Sequence, residues 1–306
     1  MKDQVYGVGY RRLPEGRSAR WAPWPIARTA LTLAWRKRST KLGVGLCGLS
    51  VFGHGMALAA QVLAERFIDT GMGGASRAAE TVVHGVIGDV HTTLANFIGV
   101  QMIATAFLLA MVAAGLIAED RRTGAMELYF SRPLTRRDYL LGKLLAAGLV
   151  PAATLVLPFV GLWLFAAGMA PPGAVGPMLG LLLPGLLGAT IAAVLLTATI
   201  LGCSALGERG RTVGVIYVVG LLVLTSLGGE LPASGHRWAG YLSPPRNVQT
   251  IVDAALDAGS SGLLLQVLSS RPEANPSVLL ATLCVLGLSA LGLGLLLWRV
   301  RKEVAG

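Results

Sequence analysis

MLGLLLPGLLGATIAAVLLTATILGC, Met178 to Cys203, runs for 26 residues without an Asp, Glu, Lys or Arg. Coiled as a helix at about 1.5 Å per residue, it exceeds the ~30 Å hydrocarbon core of a bilayer. It is apolar all round, so it offers no face to water. Five further stretches share this composition: Leu42 to Ala64, Leu94 to Ala118, Leu144 to Gly168, Val213 to Leu227 and Val278 to Trp298. None of the six carries a charged side chain, so none requires a charge to be buried in lipid. The fifth is the weakest at 15 residues. The expected fold class is all-α: a polytopic membrane protein with six transmembrane helices.

Composition agrees. Charged residues make up 14% of the chain, against roughly a quarter in soluble domains, and 54% of it is hydrophobic. The net charge of +10 would suggest nucleic acid in a soluble protein, but here its distribution speaks of topology instead. Lys and Arg number ten before the first span, six after the second, two after the fourth and three in the tail, 21 in all. The opposite side holds two, none and three, while acidic residues divide eight and eight. Basic excess marks the cytoplasmic side, which predicts N-in and C-in. Residues 1–41 are expected to form a cytoplasmic segment and residues 42–306 a six-span transmembrane domain. Within the first, Trp21 to Lys41 sets Trp24 and Trp35 among Arg28, Arg36, Lys37 and Arg38. That pattern predicts an interfacial N-terminal helix lying at the headgroups of the lipid bilayer. The long basic approach does not resemble a cleavable signal peptide. Cys47, Cys203 and Cys284 all fall in apolar runs, which argues against a disulfide framework or a zinc site. In the outer connection 228–277, Val248, Ile251, Val252, Ala255 and Leu256 recur at helical spacing, and a short helix on or dipping into the outer leaflet is expected.

The connection 119–143 carries the functional reading. Glu119 to Arg122 is a charged exit from the membrane. Gly124 to Phe130 then gathers Met126, Leu128, Tyr129 and Phe130 before Pro133 stops it. Thr135 with Asp138 three residues on starts the next helix in capping-box fashion. Large apolar tips ringed by arginines are unfavourable in water unless a partner or the bilayer covers them, so this is a candidate docking element.

On these residues the chain resembles ABC-2 type permeases, the membrane subunits of a class of ABC exporters. The matching positions are Glu119, Thr123 with Gly124, Glu127 with Leu128, Ser131 and Pro133, Thr135 with Arg136, and Gly142 with Lys143; Thr precedes Gly here, a departure from the family pattern. Leu242-Ser-Pro-Pro in the last outer connection is also similar to the family. The resemblance implies a prokaryotic cytoplasmic (inner) membrane protein, a second permease copy or related permease, and two separate ABC ATPase subunits. It implies that 119–143 acts as a coupling loop, with Met126, Leu128, Tyr129 and Phe130 as apolar anchors. Glu119, Arg121, Arg122, Gly124, Glu127 and Pro133 would complete the ATPase-docking surface. ATP and Mg would belong to the partner, since this chain has no P-loop: its one Gly-Lys pair is followed by Leu144 and preceded by Arg137 where the first Gly should stand. No cofactor, metal or catalytic residue is expected in this chain, and no nucleic-acid partner.

Three other readings stay open. A secondary transporter places ionisable groups inside its bundle, and this chain offers His54 there with Gln61, Asn96 and Gln101. A membrane enzyme with an outer metal site would draw on His84 and His91 with Asp89, but no further ligand at tight spacing accompanies them. A membrane accessory subunit also stays open, since docking an ATPase does not prove that anything is transported.

Overall fold

In the computed structural model, residues 23–69, 89–125, 135–170, 175–259 and 275–305 are described. Among them every regular element is helical. Helix α1 (Pro23–Trp35) precedes the first span, α2 (Arg38–Asp69), and the second is α3 (Val90–Val112). The one-turn helix α4 (Ala118–Arg122) follows. The third span is α5 (Arg136–Pro151) and α6 (Leu157–Met169), joined by a π-helical turn at Ala152–Val156. Then come α7 (Val175–Leu206), α8 (Gly210–Ala233), a 3₁₀ turn at Arg237–Leu242, α9 (Pro244–Leu256) and the sixth span, α10 (Val278–Ala305). Six of these helical stretches are long and apolar enough to cross a membrane. The chain is a multi-pass membrane protein.

Span α3 is the axis of the bundle. It is the most buried of the six and packs against α2, α5, α6, α7, α8 and α9. Asp89 starts it by accepting the Thr92 N–H at 2.7 Å, which satisfies one of its first free donors. The peripheral spans turn leucine and valine outward instead: Leu42, Leu49 and Phe52 on α2, Val215 and Ile216 on α8, Leu279 and Leu286 on α10. Such rows are stable in hydrocarbon and not in water.

His54, Gln61 and Gln101 each make hydrogen bonds inside the bundle. His54 Nδ1 lies 2.8 Å from the Ser50 carbonyl, and its Nε2 faces Asn96 Nδ2 at 3.4 Å. Gln61 donates to the Thr93 hydroxyl at 2.7 Å. The contacts to Asn96 and Thr93 stitch the first span to the second. Gln101 answers a different need. Pro158 has no N–H, so the carbonyl four residues back, on Thr154, loses its helical partner. The chain widens there into the π turn, and Gln101 Nε2 donates to that carbonyl at 2.5 Å. The Thr105 and Thr154 hydroxyls meet beside it at 3.0 Å. The proline-freed backbone group is thus satisfied from the neighbouring span.

Three sequence expectations shift. The fifth span is no short segment but 24 residues, because the helix continues past Leu227 through Gly228, Gly229 and Glu230. Gly228 lies against Ser243, where a side chain would collide. The N-terminal helix ends at Trp35, before the basic cluster, and α2 begins at Arg38. It packs on α5, where a Cβ on Gly142 would stand 2.8 Å from the Ile26 Cβ. Finally, α9 starts four residues before the apolar periodicity does: Ser243 caps it, Pro244 and Pro245 occupy its first turn, and Asp257 ends it in the left-handed region at φ 50°. It does not rest on a surface. Val248, Val252 and Leu256 are buried together with Asn247, Gln249 and Thr250, wedging the helix among α3, α7, α8 and α10. His91 Nδ1 meets the Leu256 carbonyl at 2.8 Å, so His91 and Asp89 both serve helix ends; His84 lies outside the described residues.

Candidate functional site: the elbow after the second span

Helix α4 is the exit from α3, and its short sequence suits a single turn. Glu119 and Asp120 stand at its start and Arg121 and Arg122 at its end, each sign opposing the helix dipole. Gly124 then adopts φ +67°, a conformation costly for any residue with a Cβ, and its N–H bonds the Arg121 carbonyl at 3.2 Å. The glycine at this motif position is therefore a stop.

Three consecutive side chains of this turn reach three different spans. Glu119 Oε1 accepts the Gly210 N–H at 3.1 Å, the first amide of α8. Asp120 Oδ2 receives Lys143 Nζ at 2.6 Å and the Tyr139 hydroxyl at 2.9 Å, both from α5. Arg121 Nη1 donates to the Ala205 and Gly207 carbonyls, each at 3.0 Å, at the end of α7. Two of these contacts satisfy helix-end groups that have no partner within their own helix. Ser204 of α7 adds a fourth tie: its Oγ accepts the Ile117 N–H at 3.1 Å and donates to the Ala114 carbonyl at 2.8 Å.

The electrostatics differ across the fork. The Gly210 amide first, then the Arg122 guanidinium 2.8 Å away, holds the Glu119 carboxyl below the usual glutamate range. The Asp120–Lys143 pair is shut away, with side-chain exposures of 16% and 5%. Removing one member of such a pair strands the other charge. The Tyr139 hydroxyl adds a hydrogen bond to the carboxylate and its ring lies 5.4 Å from Lys143 Nζ.

Residues 126–134, which include Met126, Glu127, Leu128, Tyr129, Phe130 and Pro133, lie outside the described residues. The chain is described again at Thr135, which forms the expected capping box: its Oγ1 accepts the Asp138 N–H and Asp138 Oδ2 accepts the Thr135 N–H, both at 3.2 Å. The two stems of the loop are thereby joined, because Tyr139 and Lys143 on the return helix grip Asp120 on the outgoing one. Of the predicted site residues, the structure brings together Glu119, Arg121, Arg122 and Gly124. It turns Glu119 and Arg121 toward helix ends of the bundle and leaves Arg122 about half exposed. Sequence reasoning missed Asp120, Tyr139, Lys143 as an ion-pair partner, Ser204 and Gly210. Asp120 gave a signal as an acid placed beside the motif Glu, and Lys143 as a member of the Gly142-Lys143 motif pair.

The family described as ABC-2 family transporter protein matches residues 33–297 of the chain. No curated protein matches it.

Proposed function

Because the chain belongs to the ABC-2 transporter family, we propose that it is the membrane subunit of an ATP-driven exporter and that the elbow passes the motion of a separate ATPase into three spans at once. The observation that carries this reading is the fork at Glu119, Asp120 and Arg121. Loop 126–134 is the docking element, with Met126, Leu128, Tyr129 and Phe130 as anchors in an ATPase groove and Arg122 and Glu127 at the rim. Gly124 and Pro133 bound it. The basic end of the bundle faces the cytoplasm of a prokaryotic cell, as the count of 21 basic residues against five supports. Two ATPase subunits supply ATP and Mg, and a second permease copy completes the assembly. Closure of the ATPases displaces the loops. Since both stems are pinned to one another and to α5, α7 and α8, the displacement turns helices as rigid bodies rather than dissipating in the loop.

The chain is purified from native membranes through a tag in mild detergent, and ATP hydrolysis is assayed. A co-purifying P-loop ATPase is expected, and it should be lost in Tyr129→Arg with Phe130→Asp. Purification of the chain alone, with no nucleotide-dependent activity, would sink the proposal and favour a secondary carrier or accessory subunit.

A further inference from the structure

A cleft of about 700 Å³ opens at the basic end between α3 and α8. That volume falls in the range of small-molecule sites. Its floor is apolar: Phe107 and Met111 from α3, and Val215, Val218 and Val219 from α8. Met111, Val215 and Val219 are exposed, so the described residues leave this floor uncovered. Its rim is cationic, formed by Lys37 and Ser39 at the bend between α1 and α2 and by Arg211 in the first turn of α8. Glu119 also borders it, but that carboxylate is committed to the Gly210 amide and Arg122. The side chains of Lys37 and Arg211 make no hydrogen bond or ion pair among the described residues, although the charge of Lys37 is felt by Glu119.

The chemistry changes along the span axis. Val215 and Val219 sit four and eight residues below Arg211 on the same helix, so the apolar floor descends about 12 Å from the cationic rim. An occupant must therefore be anionic at one end and apolar along its length, and lie parallel to the spans. We infer that the cleft holds an anionic phospholipid of the leaflet at the basic end, its phosphate between Lys37 and Arg211 and an acyl chain along Phe107, Met111 and the α8 valines. A second copy of the chain is the poorer occupant. It would bring its own basic end, where 21 Lys and Arg outnumber eight acidic residues, against the same cations. The inference does not depend on what the protein transports.

The test uses the full chain in proteoliposomes with spin-labelled phosphatidylglycerol or phosphatidylcholine, reading the motionally restricted fraction by electron paramagnetic resonance. Each cation near a headgroup is worth about fivefold in association, so phosphatidylglycerol should be preferred by well over tenfold. Lys37→Gln with Arg211→Gln should bring the two lipids close to parity, whereas Arg28→Gln with Arg36→Gln, which removes the same charge from exposed positions on α1 and just past its end, should keep the preference. Val215→Trp with Val219→Trp should shrink the restricted fraction for both lipids. Both glutamine pairs alter exposed side chains, and unchanged thermal melts establish that they fold. Equal association in the natural protein, or a preference indifferent to Lys37 and Arg211, would overturn the inference. Displacement of the label by soluble glycerol phosphate would also overturn it, by showing a site for phosphate alone. So would a Val219→Cys disulfide between copies accompanied by no restricted lipid, because the second copy would then fill the cleft.

Discussion

Glu119, Asp120 and Arg121 diverge because successive residues on a helix point about 100° apart, so one turn serves three directions. The energetics differ at each prong. At Asp120 the pair with Lys143 is nearly dry, and its net value over two apolar residues is small, while the loss of one partner is costly. Asp120→Ala is therefore expected to destabilise the chain by about 3 kcal/mol, and Lys143→Met by a similar amount. The double variant should lose clearly less than the sum, as a thermal-melt mutant cycle would register; strict additivity would mean the two charges do not interact. Glu119 behaves differently, being exposed and hydrogen-bonded in its charged form. Its depressed folded pKa means that its contribution is complete above the ordinary value of 4.5 and is lost only as pH falls through the lower folded value. The melting advantage of the natural protein over Glu119→Gln should accordingly be constant from neutral pH down to about 4.5 and shrink below it. An advantage already shrinking near pH 6 would mean the carboxyl titrates without the Gly210 amide.

Among the elements, the third span carries the instructive irregularity. Pro158 frees the Thr154 carbonyl, the π turn presents it sideways, and Gln101 takes it up. Gln101→Leu should cost about 2 kcal/mol, the penalty of a buried carbonyl left without a donor. Pro158→Ala restores a local N–H, so adding it to Gln101→Leu should recover part of the loss; no recovery in the melting temperature would mean that Gln101 acts through packing. Spans α7 and α10 depend on absent side chains instead: a Cβ on Gly202 would stand 2.8 Å from the Gly292 Cα. Gly202→Ala should therefore loosen this pair, seen as a lowered melting temperature with retained helicity. These cases explain what was legible in the sequence. A span must be apolar over its whole length, so composition alone marks it, and a capping box spans only Thr135 to Asp138. The end of α8 was under-read because Gly228, Gly229 and Glu230 break the apolar run without breaking the helix. The Ser243-Pro-Pro start of α9 carried an N-cap signal, but its burial depends on four neighbours that no local pattern names. At the elbow the residues were legible as polar, but their ties to the bundle were not. Their partners lie up to 91 residues away and are in part backbone groups, which leave no trace in residue identity.

For the whole molecule, the proposed function requires that docking and transmission be separable. On that proposal docking falls to the side chains of loop 126–134 and transmission to the fork that holds the loop's stems to α5, α7 and α8. A rigid elbow makes a statement about distance that needs no knowledge of the cargo. Nitroxide labels at Ala125→Cys and Glu208→Cys sit at the mouth of the loop and in the turn between α7 and α8, both joined through Glu119 and Arg121. In the complex with its ATPase, the distance between them should be narrowly distributed and unchanged when ATP binds, because both ends move together. In Glu119→Ala with Arg121→Ala the ATPase should still co-purify, since the docking side chains are intact. The distance distribution should then broaden and shift on ATP addition, and hydrolysis should lose its coupling to helix motion by about tenfold or more. A distance that changes with ATP in the natural protein would mean that the elbow flexes and the spans are driven from elsewhere. Loss of the ATPase in the alanine pair would instead place Glu119 and Arg121 in the docking surface itself, reversing the division of labour argued from their hydrogen bonds.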